Sequence, residues 1–139
     1  MAMARRSRIK SQIRHLIKEQ TGDTKLYTKI IQRGHYRYET ADRTLAWAAA
    51  RGLRARGHCL FWAVPHHQTP AWVEELRGEA LVATVEQHLN TTITHFAHTV
   101  EAWDVNNEMI HGQFFLDQSG DPDIRAKMFK GAHNLGSVH

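Results

Sequence analysis

The sequence predicts an α/β fold in which parallel strands alternate with helices packed outside them. Three observations carry that expectation. A helical stripe of Leu81, Val85, Leu89, Ile93 and Phe96 runs directly into a strand-forming stretch, Val100 to Val105. An earlier apolar run, Leu53 to Trp62, follows an alanine-rich segment closed by Gly52. The resulting order is helix, strand, helices, strand, helix. Two or three parallel strands cannot bury both faces alone, so the pattern belongs to a slice of a larger α/β structure.

Each element has its own signal. Ile9, Ile13, Leu16 and Ile17 line one face of a helix over residues 7–19, whose other face is basic. Gly22 and Asp23 interrupt it, and a short strand near Tyr27 to Ile31 ends at Gly34. A second helix starts near Thr40 and runs through Ala41 to Ala50, with Gly52 as its stop. Within the strand that follows, Gly57-His58 marks a place where the backbone approaches something closely. Pro65 and Pro70 bracket a loop, and a short helix spans Ala71 to Leu76. The next helix runs from Glu79 to about Phe96 and feeds the second strand. A long acidic loop carrying Asp117, Gly120, Asp121 and Asp123 is expected after that strand. The last helix starts at Pro122 or Asp123 and carries Ile124, Met128 and Phe129.

Composition excludes several function classes. The formal charge of +4 and pI near 9.5 come from Arg5, Arg6, Arg8, Lys10, Arg14 and Lys18, with no acid among the first eighteen residues. The remainder is slightly acidic, so the basic character belongs to an arm and nucleic acid is not an expected partner. The arm could meet an acidic surface, but a solvated face is the favoured reading. A single cysteine, Cys59, excludes an internal disulfide framework and identifies no compartment. The chain shows no apolar leader core and no run of membrane-spanning length, so neither export signal nor membrane partner is read from it. His88 and His95 stand seven apart, too far for paired ligands, and no cysteine or carboxylate joins them and His98. No metal and no cofactor are expected.

The chemistry concentrates at two strand ends. Val100 to Val105 supplies strand-forming bulk, and polarity changes abruptly at Asn106-Asn107-Glu108. A general acid needs a carboxyl kept protonated at neutral pH, and burial at a strand mouth is one way to achieve that. Only 31 residues follow Glu108 (139 − 108), so a partner carboxylate is expected earlier or not at all in this chain. The other cluster is Arg56-Gly57-His58 with Trp62. Ligands of parallel α/β folds bind at the C-terminal strand ends, which puts both clusters on one functional face. His58 lies mid-strand, so this requires its side chain to point into the mouth. A hydrogen-bonded core histidine is the alternative, as a helix-capping or loop polar pair is for Asn107 and Glu108. For Trp72 and Trp103 a core role is the better reading.

Three stretches then resemble the family 10 glycoside hydrolases, the β-1,4-xylanase family built on a (β/α)8 barrel. Arg56-Gly57-His58-Cys59-Leu60-Phe61-Trp62 is similar to the family's third-strand motif, and Gln68-Thr69-Pro70-Ala71-Trp72-Val73 to the segment after it. Trp103-Asp104-Val105-Asn106-Asn107-Glu108 is similar to the fourth-strand motif. The doubled asparagine, followed by Met109-Ile110-His111-Gly112, resembles animal and plant members. Gly34 to Tyr38 with Ala41-Asp42 fits the approach to the third strand, and the resemblance runs from Gln32 to His133.

The resemblance implies a partial (β/α)8 barrel covering about strands 2–4, with residues 1–31 a basic helix and poorly matched segment and residues 32–139 the partial domain. It implies a retaining endo-β-1,4-xylanase type of hydrolase acting on xylan. Glu108 would be the general acid/base, and Asn107 would bond the 2-hydroxyl of the sugar at the cleavage point. His58 and Trp62 would line the same subsite, where aromatic walls suit the apolar faces of sugar rings.

Retention needs a second carboxylate about 5–5.5 Å from the first. In the family that glutamate sits on the seventh strand, and Asp117, Asp121 and Asp123 match no nucleophile position. A whole barrel takes roughly 250 residues, so the expectation is a fragment, with a degenerate or purely sugar-binding module as the alternative. The family's second-strand sugar-gripping cluster has no counterpart in Leu26 to Gln32. Its histidine after the third-strand tryptophan is Ala63 here, and an apparent three-residue insertion offers His66 in its place. A full-length family member is expected outside the cell. Leu60 and Val105 are expected on the barrel side of an open half-barrel, where they would lack partners and promote association.

Overall fold

The computed structural model describes residues 31–32, 35–66 and 69–136. The basic helix expected over residues 7–19 and most of the strand expected at Tyr27 to Ile31 lie outside them. The chain divides into two units, Met1–Thr44 and Leu45–His139.

In the first unit, strands β1 (Ile31–Gln32) and β2 (His35–Tyr36) pair antiparallel, with Ile31 opposite Tyr36. Tyr36 and Tyr38 stack with centroids 5.5 Å apart. Helix α1 (Glu39–Ala49) then begins, with Glu39 and Asp42 in its first turn, where negative charge suits the helix dipole. The helix closes as the sequence predicts. Gly52 takes the left-handed conformation, φ 64°, that ends a helix without a Cβ penalty.

The second unit carries strands β3 (Arg56–Trp62) and β4 (Ala102–Asn107), which pair in parallel. Arg56, Gly57 and His58 face Ala102, Trp103 and Asp104, while Phe61 and Trp62 face Asn106 and Asn107. Three steps on β3 therefore match two on β4, a bulge between His58 and Phe61. The extra residue breaks the alternation expected of a strand, and consecutive Leu60 and Phe61 are both buried. This corrects the expectation for Leu60 and Val105. Leu60 joins the hydrophobic core and Val105 packs against it, so neither is left unpartnered.

The core forms between the strands and a helix layer of α2 (Ala71–Glu74), α3 (Gly78–Phe96), α4 (Phe114–Ser119) and α5 (Ile124–Gly136). Leu81, Val85, Leu89, Ile93 and Phe96 of α3 are all buried, the stripe read from the sequence. Leu81, Val85, Leu89 and Ile93 meet Phe114, Phe115, Ile124, Met128 and Ala132 in one cluster, with Trp72 and Trp103 packed against it. The long loop expected after β4 is interrupted by α4. Six residues are too few for a periodic signal, and Asp117 suggests a loop, but burial of Phe114 and Phe115 anchors the turn. Gly120, at φ 65°, ends it. Asp121 then closes the turn before α5 by accepting from the Asp123 N–H at 3.0 Å, and its other oxygen accepts from Lys127 Nζ at 2.6 Å.

One histidine of α3 has a structural task. His88 Nε2 lies 3.0 Å from the carbonyl of Leu60, which can only accept, so Nε2 carries the proton. Nδ1 is then the acceptor for the Thr92 hydroxyl at 3.3 Å. Burial pushes the His88 imidazole down to about 4, so the ring is neutral at pH 7. Among the described residues no helix is long and apolar enough to cross a membrane.

Candidate functional site

Trp62 meets the Asn106-Asn107-Glu108 cluster at the C-terminal ends of β3 and β4, while Arg56 and His58 lie earlier on β3. Glu108 directly follows β4 and has φ 56°, a left-handed conformation uncommon for a residue with a side chain. The turn after it supplies the hold. The carbonyl of Glu108 accepts from the N–H groups of His111 and Gly112, each at 2.9 Å, and Arg125 donates to the carbonyl of Gly112 at 3.0 Å. Gly112 has to be glycine, since a Cβ there would overlap the carbonyl of Ala63. Ala63 ties the two strand ends together: its N–H donates to Asn107 O at 2.9 Å and its carbonyl accepts from the Phe114 N–H at 3.3 Å.

This backbone framework aims the carboxylate at β3. The Trp62 indole N–H donates to Glu108 Oε2 at 2.8 Å. The His58 ring stands edge-on to Trp62, with centroids 5.8 Å apart and planes at 73°. His58, Trp62 and Glu108 thus form one continuous run across the strand ends. The His58 side chain is about half exposed, so the core-histidine alternative does not describe it. Asn107, a half-buried neighbour, ends β4 opposite Trp62. Glu108 is exposed, where the sequence leads one to expect burial, because the sheet it follows has only β3 and β4 among the described residues.

Two features complete the site, of which the first was legible in the sequence but not singled out. Asp104 stands two and four positions before Asn106 and Glu108, and the period-2 pattern places it on the same side of a strand as His58 opposite it. Its Oδ2 is 2.7 Å from His58 Nδ1, and its Oδ1 accepts from Arg56 Nε at 2.9 Å and from a second guanidinium nitrogen. The hydrogen bonds from Arg56, and then from His58, hold the Asp104 carboxyl below the usual carboxylate range. The second is Gly57, where a Cβ would overlap the Trp103 ring; this is the close approach that the sequence marked. Cys59 is pushed up to about 11, by burial first and then by the charge of Asp104, and stays a thiol.

His66 does not join the cluster. It is exposed, and both its Nδ1 (2.8 Å) and its backbone N–H (2.6 Å) meet the Glu74 carboxylate. Among the described residues, no group of three or more His, Cys, Asp or Glu side chains could hold a metal ion.

Comparison with known proteins bears on the family and the fold. Endo-1,4-beta-xylanase 2 of Arabidopsis thaliana is 37% identical over 113 residues, which are 81% of this chain and 10% of that protein. Anti-sigma-I factor RsgI6 of Acetivibrio thermocellus is 39% identical over 113 residues, 81% of this chain and 15% of the relative. The chain therefore spans well under a quarter of the length of these two relatives. The solved xylanase XynB of Paenibacillus barcinonensis superposes with a TM-score of 0.65 at 27% identity, covering 78% of this chain and 36% of that one. An endo-1,4-beta-xylanase from Caldicellulosiruptor owensensis shares the fold with a TM-score of 0.69, over 37% of its length. The α/β piece described above is thus a segment of the fold of these enzymes. The family described as Glycosyl hydrolase family 10 matches residues 2–133, and the chain belongs to that family.

Proposed function

We propose that these residues form the acid/base half of a retaining β-1,4-xylanase site, on strands that occupy the third and fourth places of a (β/α)8 barrel. The bond from Trp62 Nε1–H to Glu108 Oε2 carries this reading. It presents a carboxylate beside an aromatic wall at the ends of two parallel strands, where such folds bind ligands. Glu108 protonates the leaving glycosidic oxygen and then, as a carboxylate, takes a proton from the attacking water. Asn107 meets the 2-hydroxyl of the sugar, and His58 and Trp62 line that subsite.

The nucleophile of a retaining pair stands about 5–5.5 Å from the acid/base. We assign no described carboxylate to that role. Asp104 is engaged by Arg56 and His58, and Asp121 by Lys127. Hydrolysis therefore requires a carboxylate from elsewhere, and xylan is the substrate class that the xylanase relatives support.

A second reading has a specific support. The relative that is 39% identical bears the name of an anti-sigma factor and not of an enzyme, which leaves room for a degenerate or sugar-binding module without turnover. Titration with xylo-oligosaccharide, followed by product analysis with a barrel completed by the nucleophile-bearing strands, separates the two. Binding with release of shorter sugars that Glu108→Gln abolishes supports the hydrolase. Saturable binding with no product supports the binding module, and no binding by the folded chain excludes both.

A further inference from the structure

We propose that Asp104 is a positioning residue that holds His58 with its proton on Nδ1, so that Nε2 meets a sugar hydroxyl as an acceptor. The sugar rests on the function proposed above; the placement of the proton does not.

The two residues are direct partners in the parallel register, so their side chains leave the sheet together. Asp104 uses its oxygens separately. Oδ1 takes the Arg56 guanidinium and Oδ2 faces His58 Nδ1 at 2.7 Å. A carboxylate paired with arginine is an acceptor at both oxygens, so the hydrogen between Nδ1 and Oδ2 belongs to the imidazole. A neutral imidazole carries one such hydrogen, which leaves Nε2 as the ring's acceptor nitrogen. The edge-on contact with Trp62 sets the ring plane, and Trp62 in turn bonds Glu108. A run of contacts therefore leads from Arg56 through Asp104, His58 and Trp62 to the carboxylate. An acceptor at Nε2 recognises a hydroxyl that donates.

The test is a two-bond proton–nitrogen spectrum of the full chain labelled with nitrogen-15 histidine, recorded on the alkaline side of the imidazole titration. His58→Gln identifies the signals. The expected result is the Nδ1–H tautomer for His58 in the native chain. In Asp104→Asn the amide keeps its carbonyl toward Arg56 and turns its NH2 to His58, so the ring is expected to switch to the Nε2–H form. An Nε2–H tautomer in the native chain, or an unchanged tautomer in D104N, overturns the proposal. The native spectrum requires no variant and decides the point even where D104N fails to fold.

Calorimetric titration with xylotriose is the second arm. D104N is expected to bind about tenfold more weakly, the size of one lost charge-assisted hydrogen bond, with its circular dichroism unchanged. In a chain already carrying His58→Gln, D104N should have no further effect. A purely structural Asp104 predicts additive losses instead, and that outcome overturns the positioning role. Absence of xylotriose binding with the tautomer switch intact overturns the sugar assignment alone and supports the placement of the proton.

Discussion

The indole N–H of Trp62 donates to Oε2 of Glu108 across 2.8 Å, joining residues 46 positions apart in the chain. The bond exists because Trp62 and Asn107 are register partners at the ends of β3 and β4, and because Glu108 turns into the left-handed region just beyond. Aromatic wall and carboxylate are thus one unit. Trp62→Phe keeps the wall and removes the donor. We expect xylo-oligosaccharide affinity to fall about tenfold, or ~1.4 kcal/mol, with little change in stability because solvent reaches the exposed carboxylate. Calorimetric titration beside urea unfolding separates the two effects.

Stability should fall as the solution is acidified, through His88. Its folded value of about 4 lies below the ordinary 6.5, so the unfolded chain takes up the proton first. The contribution is fully present above about pH 6.5 and is lost as pH falls from there to about 4. The shift corresponds to about 3 kcal/mol. Urea midpoints measured across that window should show this loss, and His88→Phe should flatten the dependence while lowering stability at neutral pH.

Gly57 makes room for Trp103. In Gly57→Ala the added methyl overlaps the indole, and the strand or the ring has to move. We expect a loss of roughly 2–3 kcal/mol, the upper range of overpacking costs. Trp103→Leu should relieve the conflict, so the double variant should be more stable than the sum of the single effects predicts. Urea denaturation of all four chains measures the coupling.

Asn106 is 7% exposed, and its Nδ2–H donates weakly to Met128 Sδ at 3.5 Å, while Oδ1 has no partner among the described residues. A buried acceptor left unpaired costs about 1–3 kcal/mol. Asn106→Val, a better strand former, should therefore raise stability by about 1 kcal/mol. A lowered urea midpoint in this variant would show that the amide has a partner that stabilises it.

Much of this was legible in the chain itself. The stripe from Leu81 to Phe96 and the strand before Glu108 are long, periodic segments, in which local pattern and final burial agree. The family motifs, read as residue types in order, pointed to Trp62, Asn107 and Glu108 at the strand ends and to His58 earlier on β3. Helix α4 was not legible, because its six residues are held by burial of Phe114 and Phe115 and not by propensity.

By itself the sequence determined which residues could carry chemistry, and the α/β order that places them at strand ends. Tertiary structure decided how they meet. The bulge between His58 and Phe61 shifts the alternation by one residue, sending Leu60 into the core and leaving His58 beside Asp104. A one-residue slip reverses every face, and no local propensity specifies it. The positive φ of Glu108 likewise depends on the Gly112 turn against Ala63, a contact between segments some fifty positions apart. Periodicity records the local preference of each strand, while the pairing of Asp104 with His58 and of Trp62 with Glu108 follows from register, which is a property of two strands together.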